Sequence, residues 1–268
     1  MKKFFVLIAM CALVLAFSPA VFADMSPARQ VVIPEGIWAA ATGGGTWITS
    51  LQIVAKNIGT NVYIQFFYQN TNSFRSVSMF TSSVDEQAVR YSNVLASMGT
   101  IDDTFDYYGR VGVLLIFGQD DSHPVYAQAM TTNGNYGKTF PSLSWNPALN
   151  SADVGREHVI PGMQNTSAWR TSTGFWNSTS STMDVTFYVM VSGYVYNGTP
   201  ITRTFQAWGF MSFNPFLQAG ISGTSYTNCY LLIWPTAKAG SGQGLYCYGS
   251  LANNFTNDTM SLISQPWQ

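Results

Sequence analysis

Apolar and polar residues alternate along much of this chain with the two-residue period of β-strands. Val185-Thr186-Phe187 and Thr202-Arg203-Thr204-Phe205 show the alternation of half-buried antiparallel strands. Four further runs are β-branched and aromatic: Asn61 to Tyr68, Gly112 to Phe117, Met183 to Met190 and Tyr230 to Trp234. Polar turn clusters separate them, at Gln69 to Ser73, Gln119 to Pro124, Asn133 to Asn135, Asn177 to Thr182 and Asn253 to Asp258. Asn197-Gly198 is a hairpin signal. Helix is scarce: Ser83 to Met98 can hold one or two turns, with Ser83 as cap and Glu86 three residues on. Short strands with polar turns predict an all-β fold of antiparallel β-sandwiches.

The pattern is written twice. Ile33-Pro34 and Ile160-Pro161 open the two halves. Trp47-Ile48-Thr49-Ser50 and Trp169-Arg170-Thr171-Ser172 follow them. Later, Tyr126, Asn133 and Thr139 stand 120 residues before Tyr246, Asn253 and Thr259. A period of that length is domain-sized, so it predicts a tandem repeat of one domain rather than a solenoid. Trp47 and Trp169, at matching places, are expected to fill matching cores. The stretch Trp145 to Arg156, with its Pro, Asn, Ser and Gly, reads as a short linker. The expected division is a signal peptide over 1–23, a first β-sandwich over 24–150 and a second over 151–268.

The leader reading rests on Lys2-Lys3, the apolar stretch Phe4 to Phe17 and the small residues of Val21-Phe22-Ala23, which place cleavage before Asp24. Its apolar run is shorter than the roughly 20 residues a membrane span needs, and no later segment is long and apolar enough. The exported chain is therefore expected to be secreted, extracellular or at the cell surface, with the periplasm as the other possible destination. Without Lys2 and Lys3 it carries ten basic against 13 acidic residues and has no basic run, which argues against nucleic acid. Only 9% of residues are charged, so little charge repulsion opposes contact between copies. Cys229 and Cys247 are the two cysteines beyond the leader. In an exported protein an even pair reads as a disulfide, here across a hairpin turning at Gly240 to Gly244.

Three runs resemble tandem-repeat secreted bacterial proteins of unknown function: Gly109 to Ile116, Pro124 to Asn133 and Gly137 to Phe140. His158 to Gly162, followed by Trp169-Arg170-Thr171 and Asn177, adds to the resemblance. It implies immunoglobulin-like β-sandwich modules in series, often within larger surface proteins, and it supplies no catalytic residues.

Chemistry is sparse. The acidic groups Asp85-Glu86, Asp102-Asp103 with Asp106, and Asp120-Asp121 read most simply as solvated turns and edge strands. Hard oxygens clustered at Asp102, Asp103 and Asp106 are the candidate calcium site, although the spacing is not that of the twelve-residue calcium loop. No other cofactor is expected. His123 and His158 are the only histidines, and there is no Gly-x-Ser-x-Gly elbow, phosphate loop or dinucleotide fingerprint. The chain is therefore expected not to be an enzyme. Asn165, Asn177, Asn197, Asn254 and Asn257 each stand in Asn-x-Ser/Thr, a minor glycosylation signal in so Ser/Thr-rich a chain. Trp208, Trp234 and Trp267, beside Gly or Pro, are candidate interface or ligand aromatics. The expectation is a non-catalytic structural or interaction protein of the cell surface that associates with itself or other surface proteins, as in a filament or surface layer. Strand addition by Asp24 to Ile37 to a neighbour's sheet edge is one route. A carbohydrate-binding module, with exposed Trp and Tyr stacking on a polysaccharide, is the alternative.

Overall fold

The computed structural model of the chain describes residues 28–41, 44–69, 71–134, 136–145, 151–196, 199–238, 242–256 and 258–267. The expected leader over 1–23, the Asn197-Gly198 turn and the Asn257 sequon lie outside them.

The fold is all-β and antiparallel. In the first half the strands are β1 (Gln30–Ala40), β2 (Thr46–Ala55), β3 (Asn61–Tyr68), β4 (Phe74–Thr81), β5 (Gln87–Tyr91), β6 (Arg110–Phe117), β7 (Val125–Asn133), β8 (Tyr136–Pro141) and β9 (Leu143–Ser144). They form one sheet of order β4-β3-β6-β1-β2-β7-β8, with β5 on β2 and β9 on β1. β1 pairs with β6 along most of its length and with β2 only at Trp38 to Ala40. The sheet therefore folds over on itself at β1 and encloses Ile33, Ile53, Ile64, Phe66, Leu114 and Ala127. Helix α1 (Val94–Ile101) plugs this core with Val94, Leu95 and Met98. Asn93 caps it, its side chain accepting from the Ala96 N–H. The cap thus stands ten residues beyond Ser83, and much of the segment before it, Gln87–Tyr91, is strand β5.

The second half has two sheets. Its strands are β10 (Ser151–Ala152), β11 (His158–Thr166), β12 (Trp169–Thr179), β13 (Met183–Val191), β14 (Tyr194–Val195), β15 (Ile201–Phe205), β16 (Phe210–Phe213), β17 (Ser225–Lys238), β18 (Gly242–Asn253), β19 (Thr259–Ile263) and β20 (Gln265–Pro266). One sheet runs β10-β18-β12-β16 with β19 on β18; the other runs β14-β13-β17-β11-β20 with β15 on β13. Phe175, Phe187, Leu231, Ile233 and Cys247 meet in the core between them. A one-turn helix, α2 (Pro215–Gln218), follows β16. Among the described residues of this half Ser192-Gly193, both with positive φ, make a tight hairpin turn.

The strands of the two halves pair in the same order. β1 with β6, β6 with β3 and β3 with β4 correspond to β11 with β17, β17 with β13 and β13 with β15. β2 with β7 and β5, and β7 with β8, correspond to β12 with β18 and β16, and β18 with β19. The shared dipeptides have identifiable work here. Proline has no N–H to give a ladder, and the register of β1 slips between Ile33 and Gly36 as that of β11 slips between Ile160 and Met163. The threonine of each Trp-x-Thr-Ser satisfies the backbone just past the slip. Thr49 Oγ1 accepts from the Ile37 N–H (2.9 Å) and Thr171 Oγ1 from the Gln164 N–H (3.0 Å). Tyr126 and Asn133 match Tyr246 and Asn253 in register, but Thr139 faces Met130 whereas Thr259 faces Ala252.

Several expectations change. Trp47 and Trp169 are only half-buried and belong to neither core. β17 and β18 are consecutive but lie in opposite sheets, so Cys229 and Cys247 do not face each other across a hairpin. Both are buried free thiols. Each donates to a carbonyl of its own strand, Cys229 to Thr227 (3.5 Å) and Cys247 to Leu245 (3.2 Å). The expected disulfide is absent, and burial pushes both thiols above their ordinary pKa. Of the segment Asp24 to Ile37 expected to add to a neighbour's sheet, residues 24–27 lie outside the described residues, and the rest is occupied within its own chain. Gln30–Ala40 is interior to its own sheet, with Val31, Val32 and Ile33 fully buried, rather than free beside a sheet edge.

A third core joins the halves. Val32, Phe67, Val113, Leu115, Phe140 and Leu143 of the first pack against Trp176, Phe210, Tyr246 and Tyr248 of the second. Trp176 is fully buried, 4.6 Å from Phe67 between ring centroids, and Trp145 stacks on Tyr246 at 5.6 Å. At the margin of this seam Lys138 Nζ donates to Glu35 Oε2 (2.9 Å) and to Ser250 Oγ (2.8 Å). Tyr248 also hydrogen-bonds Glu35; burial first, then that carboxylate, pushes its phenol well above the ordinary range.

Candidate interaction surface

From Cys229 to Thr236 β17 alternates. Leu231 and Ile233 enter the core, which turns Tyr230, Leu232 and Trp234 outward. Register places Met190, Tyr188 and Thr186 of β13 beside them on one flank and Val159 of β11 beside Leu232 on the other. The outward positions of β13 from Thr186 to Met190 and of β17 from Tyr230 to Trp234 carry no charge. Trp267, just past β20, stacks on Tyr230 at 5.8 Å, and Trp234 meets Tyr188 edge-on at 6.2 Å. Trp234 and Trp267 remain 46% and 48% exposed, which leaves an uncharged aromatic sheet face open to solvent.

Two of the three candidate tryptophans thus share one surface. Trp208 does not. Its backbone is left-handed (φ 59°), its ring stacks on Phe67 at 6.0 Å, and its carbonyl accepts from Trp176 Nε1 at 3.2 Å. It is partly buried and packs on the seam from within the chain. Beside it, Thr71, Asn72, Thr204, Gln206, Phe210 and Met211 line an uncharged cleft of about 320 Å³ between the halves.

The acidic loop is satisfied internally. Asp102 accepts from Thr104 Oγ1 (2.5 Å) and Tyr107 OH (3.1 Å) and lies 3.9 Å from Arg75; the Thr104 bond leads in holding its carboxyl below the usual range. Asp106 accepts from the Tyr108 N–H (2.9 Å). Among the described residues no three His, Cys, Asp or Glu side chains gather to hold a metal, Asp102, Asp103 and Asp106 included. Oxygens of Asp102 and Asp106 serve the turn.

Asp120, Ser122 and His123 stand together without forming a relay. Asp120 Oδ1 takes the Ser122 hydroxyl (2.6 Å) and His123 Nδ1 (2.7 Å), and Ser122 Oγ lies 3.0 Å from that same Nδ1. A general base needs one ring nitrogen for the nucleophile and the other for its orienter. Here both neighbours share one nitrogen, so the arrangement is a turn cap; Ser122, then His123, draw the Asp120 pKa down to about 2. His158 is fully buried, with Nδ1 3.3 Å from Ser264 Oγ; burial and the charge of Arg156 lower its pKa to about 4. Asn177 is also fully buried. Its amide donates to the carbonyls of Ser181, Phe205 and Gln206, which removes it as a glycan acceptor.

The architecture defines an all-β protein of antiparallel sheets with an aromatic outer face; among the described residues no helix is long and apolar enough to cross a membrane. No family model and no curated protein matches the chain. Among solved structures it is similar to the infectious bursal disease virus VP2 subviral particle, at 12% identity and a TM-score of 0.21, covering 91% of this chain and 73% of that one. A structure of the Gt strain of the same virus gives 12% identity and a TM-score of 0.17 over 90% and 72%. Likenesses this weak carry no argument about fold or function.

Proposed function

We propose that the chain is an exported, non-catalytic structural or interaction protein of the cell surface that associates with itself, built from two immunoglobulin-like β-sandwich modules in series. The matching pairing orders, with an Ile-Pro register slip and a threonine anchor in each half, support the modular reading. The single observation that carries the functional reading is the open face of Val159, Tyr188, Met190, Tyr230, Leu232 and Trp234, extended by Trp267. Large exposed apolar faces on soluble proteins mark contact sites, and a chain with 9% charged residues offers little repulsion against its own copies. Light scattering across a concentration series, with negative-stain electron microscopy, tests it. Mass is expected to rise with concentration and elongated or sheet-like particles to appear; a monomer at every concentration overturns the reading.

Exposed indole rings on one sheet face also suit stacking on sugar rings, so polysaccharide binding is the second reading. It predicts a monomer that is retained by a polysaccharide and released when Trp234→Ala is introduced.

A further inference from the structure

The seam inside the molecule shows how two molecules can meet. Each half has two kinds of outward face. The first kind, on β1, β6 and β3, carries Val32, Phe67, Val113 and Leu115; the second, on β12, β18 and β16, carries Trp176, Tyr246, Tyr248 and Phe210. The seam is the first kind from one half seated on the second kind from the other.

Register carries each position across. Ile33 faces Leu114 as Ile160 faces Leu231, and Phe67 faces Val113 as Met190 faces Tyr230. Val32, Phe67, Val113 and Leu115 therefore correspond to Val159, Met190, Tyr230 and Leu232. Trp145, whose N–H bonds the Gln30 carbonyl, corresponds to Trp267, whose N–H bonds that of Glu157. The open aromatic surface is thus the second half's copy of the face that the seam covers in the first. Likewise Val54 faces Tyr126 as Trp176 faces Tyr246. Val54, Tyr126, Gln128 and Ala88 are the first half's copy of the covering face, with Gln128 and Ala88 exposed and Val54 and Tyr126 half-buried.

Resting on the self-association reading, we propose that a second copy of this chain docks head to tail. The β2-β7-β5 face of its first half sits on the β11-β17-β13 face of this molecule's second half and repeats the internal seam. Where Trp145 stacks on Tyr246 within the chain, Trp267 meets Tyr126 of the next molecule. The contact is heterologous: every added copy brings one open face of each kind, so growth gives an open filament, or a ring if the rotation closes. The contact is weaker than the seam, because Trp176, Tyr248 and Phe210 are replaced by Val54, Gln128 and Ala88. It also lacks the buried ion pair, since Gly162 and Met260 stand where Glu35 and Lys138 do.

Two variants at exposed positions test this, Trp234→Glu on one face and Gln128→Glu on the other, with circular dichroism to show that both fold. Sedimentation velocity is run on wild type, each variant and their equimolar mixture. Wild type is expected to grow with concentration and each variant alone to associate at least about tenfold more weakly. The mixture is expected to stop at a heterodimer, formed from the one intact pair of faces. If Gln128→Glu assembles like wild type while Trp234→Glu does not, the aromatic face pairs with itself and the proposal is wrong. A mixture that stays monomeric overturns it too. If both variants assemble like wild type, self-association survives and this geometry falls; a wild type that never associates removes both.

Discussion

Replacing Lys138 by Met should destabilise the whole molecule by about 3–5 kcal/mol, the usual cost of removing one partner from a buried ion pair. Lys138 and Glu35 have side chains only 7% and 9% exposed, 2.9 Å apart. At that distance and an effective dielectric near 20 their attraction is about 6 kcal/mol, against a desolvation cost of several kcal/mol for each ion. The net worth of the pair is therefore small, while the cost of breaking it is large. In Lys138→Met the Glu35 carboxylate stays beside Tyr248 and the apolar seam without its cation, and Ser250 Oγ loses its donor. The double variant Glu35→Gln/Lys138→Met removes both charges and should recover most of the loss, to within about 1–2 kcal/mol of wild type. Urea unfolding followed by tryptophan fluorescence reports it, because Trp145 and Trp176 lie in the same seam. A single variant within 1 kcal/mol of wild type would refute the reasoning, as would a double variant no better than the single.

Three further predictions follow from the cores. Thr49→Val and Thr171→Val keep shape but leave the Ile37 and Gln164 N–H groups without their acceptor, so each should cost about 1–3 kcal/mol by thermal unfolding, and equal stability would remove the anchor role. His158 is held neutral, so the unfolded chain takes its proton first as pH falls; stability should decline from about pH 6.5 toward the folded pKa of about 4, by up to about 3 kcal/mol in all. His158→Gln should flatten that part of the stability–pH curve, and an unchanged slope would assign it elsewhere. Unreduced protein, once denatured, should titrate two thiols from Cys229 and Cys247, and neither should react at a useful rate while folded; finding none after denaturation would restore the disulfide.

Fold class was legible because period-two alternation marks half-buried strands, and much of this chain has it. The recurring Ile-Pro and Trp-x-Thr-Ser were legible as a pattern but not as a mechanism. Only the register shows that proline marks a slip and that threonine, not tryptophan, holds it. Cys229 and Cys247 were misread because sequence proximity suggested a hairpin, whereas sandwich connectivity sends β17 and β18 to opposite sheets. The Asp102 cluster has a composition that suits calcium, while its geometry sets oxygens of Asp102 and Asp106 on Thr104, Tyr107 and Tyr108, which only the fold shows. Lys138 and Glu35 gave no signal, since 103 residues of chain separate two charges that meet only when β1, β8 and β18 converge.

The seam did leave a trace, in strands that are apolar on both faces. A strand with one face in water alternates, whereas Val113-Leu114-Leu115-Ile116, Phe175-Trp176 and Tyr246-Cys247-Tyr248 do not. In each, one set of side chains fills a sandwich core and the other fills the seam. Tyr230-Leu231-Leu232-Ile233-Trp234 has the same two-faced composition at the register positions of Val113 to Phe117. Its inner set is covered and its outer set is not. Those three runs are buried on both sides, and the proposed head-to-tail contact would give β17 and the neighbouring β13 their second layer from another molecule.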